Sequence, residues 1–152
     1  MAMGSAYTAA ASGVDALYYN PAGLAGTKSY ELAFSHANWL LDSKHDFAGF
    51  AFPVKMGGRQ FSGGLGITRL GNAGMEGRAA DRSASGSFSA YDQAVSLALA
   101  ARSGKYGFGV GGKYIESSIA GVRATAFAVD LGVNRRLNNL PVSIGLAVQN
   151  LG

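Results

Sequence analysis

Gly107, Gly109 and Gly112 fall in the spacing G-x-G-x-x-G, which in dinucleotide-binding proteins lays a pyrophosphate on backbone N–H groups at a helix start. That chemistry needs a helix directly after the glycines. Here the motif sits in "YGFGVGGKY" and runs on into "KYIESSIAG", a strand end and a turn, so no cofactor is expected. The glycines read instead as room for another segment to approach a sheet. His36 and His45 lack H-E-x-x-H spacing, and a chain without cysteine offers no thiolate, so no metal site is expected either. Asp15, Glu31 and Asp130 lie too far apart in sequence to define a catalytic pair, and neither a Walker loop nor a G-x-S-x-G elbow occurs. The residue types do not predict an enzyme. Lys113 and Asp130 are the more informative charges, falling on the same face of neighbouring strands, opposite or one diagonal step apart. They read either as a pair that tunes an interior or holds a covering segment, or, more plainly, as a cross-strand pair worth about 0.2–1 kcal/mol.

Composition narrows what could position such residues. The 152 residues make at most one ordinary domain. Only 14% are charged, against about 25% in soluble domains, and the 23 glycines are about twice the usual share. A pI near 9.5 would suit nucleic acid. Lys and Arg are nevertheless scattered along the chain, with no basic run interleaved with aromatics, so no nucleic-acid partner is expected. No apolar run is long enough for a membrane helix. No Lys or Arg precedes Lys28 and no dense apolar stretch opens the chain, so a signal peptide is not legible. Either the protein is not exported, or its leader lies outside these residues.

Residues 1–28 are rich in Ala, Ser and Gly and hold two short helical patches hinged at Asn20-Pro21. Asn20 is a favoured N-cap, and Pro21 suits the first helical position, where its missing N–H goes unneeded. Pro21 also pushes Asn20 out of the α region, ending any helix over 14–19.

From residue 29 the period changes to two. Phe61, Gly63, Leu65 and Ile67 alternate with Ser62, Gly64, Gly66 and Thr68, and "AVSLALA", "YGFGVGGKY", "FAVDLGVN" and "VSIGLAVQN" repeat the pattern. Such alternation predicts about seven antiparallel strands. Only the first, "YELAFSHANW", has an unclear face after Phe34. Two-residue turns at Gly57-Gly58, Ser103-Gly104, Ala120-Gly121 and Asn138-Asn139 all keep one continuous apolar face. They set Val54 opposite Phe61, Ala101 opposite Tyr106, Leu99 opposite Phe108 and Val133 opposite Ile144, and bring the Tyr114 face to the Phe127 face.

The other face carries mostly Gly, Ala and Ser, with isolated Lys113, Asp130 and Gln149. A wall that is bulky and apolar on one side, small or polar on the other, predicts an up-and-down transmembrane β-barrel. Tyr106 and Tyr114 stand roughly 26 Å apart along a strand, or roughly 20 Å across a membrane at a tilt of about 40°. Residues 71–90 read as the one long loop, on the side opposite the short turns at Gly57-Gly58, Ser103-Gly104 and Asn138-Asn139, as such barrels require. A soluble β-sheet protein is the alternative reading.

"GSAYTAAASGVDALYYNPAGLAG", "GVGGKYIESSIAGVRATAFAVDLGV" and "VSIGLAVQNLG" together resemble the FadL-like outer-membrane proteins, and more closely their PorV/PorQ branch. The resemblance implies residues 1–28 as a plug, in which Asn20, Pro21, Ala22 and Gly23 form a capped turn packed closely against the barrel wall, and 29–152 as about half of a larger barrel. The plainer reading of Asn20 to Gly23 is a loop leading into the first strand. An odd strand count cannot close the usual even barrel, so further strands are expected beyond these residues. The resemblance also implies a Gram-negative outer membrane and its lipid as surroundings. The function implied is passage of hydrophobic small molecules or, alternatively, a non-conducting barrel that docks exported proteins in type IX secretion.

Overall fold

The computed structural model describes residues 7–39, 42–137 and 142–152. An N-terminal segment folds as a 3-10 turn Gly13–Asp15, a one-turn helix α1 (Ala16–Tyr19) and a 3-10 run Pro21–Gly26. Seven strands follow: β1 (Glu31–Asn38), β2 (Lys44–Met56), β3 (Arg59–Arg78), β4 (Ala84–Ser103), β5 (Tyr106–Ile119), β6 (Val122–Arg136) and β7 (Ser143–Leu151). They make one antiparallel meander in chain order, so the fold is all-β with a short helical N-terminus. The sheet is open. Among the described residues β1 pairs only with β2, and β7 only with β6.

Ladder partners share a face, so the register extends one row of alternation across the sheet. Leu32, Phe50, Leu65, Leu97, Gly112 and Val129 form one such row, and Glu31, Ala51, Gly64, Ala98, Gly111 and Asp130 another. The first row lies on a bare face, where Leu97 is 54% exposed and Phe127 76%. The second lies under the N-terminal segment. β1 conforms, with Leu32 and Phe34 exposed on the bare face.

The core lies between the segment and the covered face, where Val14, Ala16, Leu17 and Leu24 pack on Ala51, Ala98 and Ala100. Burying each of the three larger side chains contributes about 1.5–3 kcal/mol. The segment, not a second sheet, is what the covered face packs against.

The turns correct the expected register in two places. Gly57-Gly58 and Ala120-Gly121 are two-residue tips with positive φ at both residues, and Val54 opposes Phe61 as Tyr114 opposes Phe127. The β4–β5 tip is Gly104-Lys105 instead of Ser103-Gly104, so Ala101 opposes Phe108 and Leu99 opposes Val110. Gly104 takes the positive φ as the first turn residue, the place a type II′ hairpin reserves for glycine. Val133 opposes Leu146 instead of Ile144, because the connection is wider than two residues and Leu137 N–H donates to Val142 O at 3.0 Å. The Asn138-Asn139 tip lies outside the described residues. Both shifts are of even parity, which is why the faces survive them.

The expected long loop at 71–90 is mostly strand. β3 and β4 continue pairing through Met75↔Phe88, Glu76↔Ser87 and Arg78↔Ala84, with irregularities on either side of Met75/Glu76. The glycine- and serine-rich composition that looked like a loop is accommodated in these bulges, where Gly74 and Gly86 take positive φ. Only residues 79–83 turn. There Asp81 Oδ1 accepts from Ser83 N–H at 2.9 Å and from Ser83 Oγ at 2.6 Å, bonds that hold the exposed Asp81 carboxyl below its ordinary pKa.

Candidate functional site

Glycine lets the N-terminal segment approach the covered face backbone to backbone. A Cβ on Gly109 would collide with Pro21 and Ala22, one on Gly132 with Asn20 Oδ1, and one on Gly145 would come within 2.7 Å of Ala9 Cα. Gly64 and Gly49 make the same room for Leu17 and Val14. So the segment reaches from β2 to β7 along positions that no other residue type would leave clear. Gly107 and Gly109 of the G-x-G-x-x-G spacing serve this approach, whereas Gly112 faces open space on the other side.

Asn20, Pro21, Ala22 and Gly23 are all buried. Asn20 is extended (φ −166°, ψ 109°), as a residue before proline should be, and Pro21 opens the 3-10 run. Asn20 Oδ1 accepts from Ala22 N–H at 3.0 Å. Its Nδ2 donates to Thr8 O at 2.9 Å and to Val133 O at 3.4 Å. A fully buried amide thus spends both ends, closing the turn and tying it to the preceding chain and to β6. Gly23 has a different neighbour from the one expected. A Cβ there would meet Ala11 O and Ala16 Cβ, atoms of the segment itself, instead of the sheet. The hinge at Asn20 doubles the segment back on itself, so its tightest internal contact falls at Gly23.

Lys113 and Asp130 meet on the covered face, Nζ to Oδ2 at 2.7 Å, with side chains 14% and 3% exposed. They are diagonal neighbours, since Lys113 opposes Ala128 and Asp130 opposes Gly111. Asp130 Oδ1 also accepts from Asn150 N–H at 2.9 Å, and Lys113 Nζ donates to Asn150 Oδ1 at 3.3 Å. Asn150 takes φ 57° in a register shift of β7 between the partners of Val129 and Leu131. Next to it, Gln149 Nε2 donates to Tyr18 O at 2.9 Å. The ion pair therefore pins a bulge whose neighbouring side chain holds α1. Sequence reasoning paired the two charges and placed Gln149 on their face but missed Asn150, because a bulge leaves no mark in strict alternation.

His36 lies 2.6 Å from Asp46 on the exposed β1–β2 edge, and no group of three or more His, Asp or Glu gathers among the described residues. A second feature escapes the linear sequence. The turns β2–β3, β4–β5 and β6–β7 share one end, and there a recess of about 1310 Å³ opens beneath the segment. Lys28, Arg59, Arg102, Lys105, Arg135 and Arg136 line it. These cations are scattered in sequence and gathered in space, because a meander returns every second turn to the same end. Turn parity was the signal that could have found them.

No family model, curated protein or solved structure matches this chain.

Proposed function

We propose that this chain forms the plug and part of the wall of a Gram-negative outer-membrane β-barrel of the FadL-like kind, PorV/PorQ branch, through which hydrophobic small molecules pass. One observation carries the reading: the bare face holds an uncharged apolar band bracketed by charged and aromatic residues. On β3, Arg59 and Arg69 bracket Phe61, Gly63, Leu65 and Ile67; on β5, Tyr106 and Glu116 bracket Phe108, Val110, Gly112 and Tyr114. Each bracket spans about ten residues, roughly 33 Å along the strand and roughly 25 Å across a membrane at the tilt of such barrels. Aromatic rings mark both borders. Arg135 stacks on Tyr106 at 5.2 Å and Arg69 on Tyr91 at 4.8 Å, the amphipathic pairing suited to a lipid–water boundary. In this reading Lys113 and Asp130 are lumen charges, and the edges of β1 and β7 are paired, since open edges do not persist in lipid.

The close packing of the segment over the covered face favours a second reading, a non-conducting barrel that docks exported proteins. Uptake of a fatty acid or an aromatic compound into liposomes holding the protein separates the two, because the docking barrel takes up neither. A monodisperse, detergent-free monomer with cooperative unfolding would overturn both in favour of a soluble β-sheet protein.

A further inference from the structure

We propose that the basic recess at the β2–β3, β4–β5 and β6–β7 end binds an acidic peptide segment of a partner protein through its carboxylates. The chain carries 13 Lys and Arg and nine Asp and Glu. Lys28, Arg59, Arg102, Lys105, Arg135 and Arg136 line this one recess, and among the described residues no Asp or Glu does. None of these cations forms an ion pair among the described residues; the ion pairs lie at His36–Asp46, Arg78–Glu76 and Lys113–Asp130. Uncompensated like charges repel one another, and an anion that enters relieves the repulsion.

One unsatisfied group marks the same place. Thr27 Oγ1 is buried without a hydrogen-bond partner, and Thr27 lines the recess. Thr27 is only 4% exposed and its backbone is already engaged, its N–H with Leu24 O and its carbonyl with Ser62 Oγ. Buried polar atoms of folded proteins are almost always paired, so a free buried hydroxyl in a basic recess fits an oxyanion partner.

Size and position choose the occupant. At about 1310 Å³ the recess exceeds the usual range for a small ligand, roughly 300–1,000 Å³. Arg102 and Arg136 lie on the covered face, and Arg102 Nη2 reaches within 3.3 Å of where a Cβ on Gly26 would stand. A lipid whose tails lie on the bare face would have to cross the sheet end to reach them. Among the described residues Phe61 is the one aromatic residue in the lining, too few to stack a nucleic-acid strand. An extended acidic peptide fits both the length and the charge. The inference stands whether or not the bare face meets lipid.

Fluorescence anisotropy of a labelled peptide alternating Glu and Ser, with its Gln-Ser counterpart as control, tests it on the whole chain in low salt. The Glu peptide is expected to bind and the Gln peptide not. Arg102→Gln and Arg136→Gln should each weaken binding about tenfold, while Arg123→Gln at the opposite end changes it less than about twofold. Thr27→Val removes a hydroxyl with no partner, so it should weaken the peptide severalfold while the melting temperature holds or rises. Failure of the Glu peptide to bind, equal binding of both peptides, or equal loss with Arg123→Gln would overturn the proposal. So would Arg102-dependent binding to phosphatidylglycerol vesicles that the Glu peptide does not displace.

Discussion

Replacing Asn20 with alanine removes three hydrogen bonds from one buried position. Ala22 N–H loses its acceptor at 3.0 Å, Thr8 O its donor at 2.9 Å, and Val133 O a weaker donor at 3.4 Å. Loss of an N-cap alone costs about 0.5–2 kcal/mol. A buried group left unpaired costs about 1–3 kcal/mol, and because Asn20 is 0% exposed water cannot substitute at once. The total expected is about 2–4 kcal/mol. It falls on docking of the N-terminal segment, since Asn20 belongs to no strand. Hydrogen exchange at Ala22 and Gly23 reads this directly: about 2 kcal/mol corresponds to roughly 30-fold faster exchange. Asn20→Asp keeps the oxygen and loses the amide donor, so it should protect Ala22 while freeing Thr8 O. Protection of Ala22 and Gly23 unchanged in Asn20→Ala would refute the reasoning, as would equal acceleration in β4 and β5.

Gly109→Val should displace the segment by colliding with Pro21 and Ala22, whereas Gly112→Val, with open space around it, should leave it docked; protease cleavage within residues 1–28 distinguishes them. Asp130→Ala strands Lys113 and frees Asn150 N–H, and breaking a buried pair costs about 3–5 kcal/mol, so β7 and Tyr18 should lose exchange protection together. Leu146→Arg places a charge on the bare face and should cost about 2–4 kcal/mol in a bilayer, more than Ala147→Arg on the covered face. Equal costs in unfolding titrations would count against these facings.

Period and face were the most legible part of the fold. Alternation from Phe61 to Val148 specified strands, and hairpin parity kept each residue on its side even where Ala101 and Val133 took partners two residues from those expected. Asn20-Pro21 was legible because capping chemistry is local. Less was readable where structure depends on distant partners. Residues 71–90 looked like a loop because their glycines were judged without the opposing strand that hydrogen-bonds them. Gly23 was assigned to the wrong neighbour, since nothing local shows that the segment folds back on Ala11. The Asn150 bulge and the basic recess arise only when β6 meets β7 and alternate turns meet one another.

The central claim is that the bare face meets lipid. The chain contains no cysteine, so single spin-labelled cysteines can be placed at Phe127, Ala128, Val129, Leu131 and Val133 of β6 without removing native thiols. In bilayers, labels at Phe127, Val129, Leu131 and Val133 should be accessible to dissolved oxygen and shielded from a water-soluble nickel chelate. A label at Ala128, buried on the covered face, should be shielded from both. Free access of the nickel chelate to 127, 129, 131 and 133 would contradict the membrane reading.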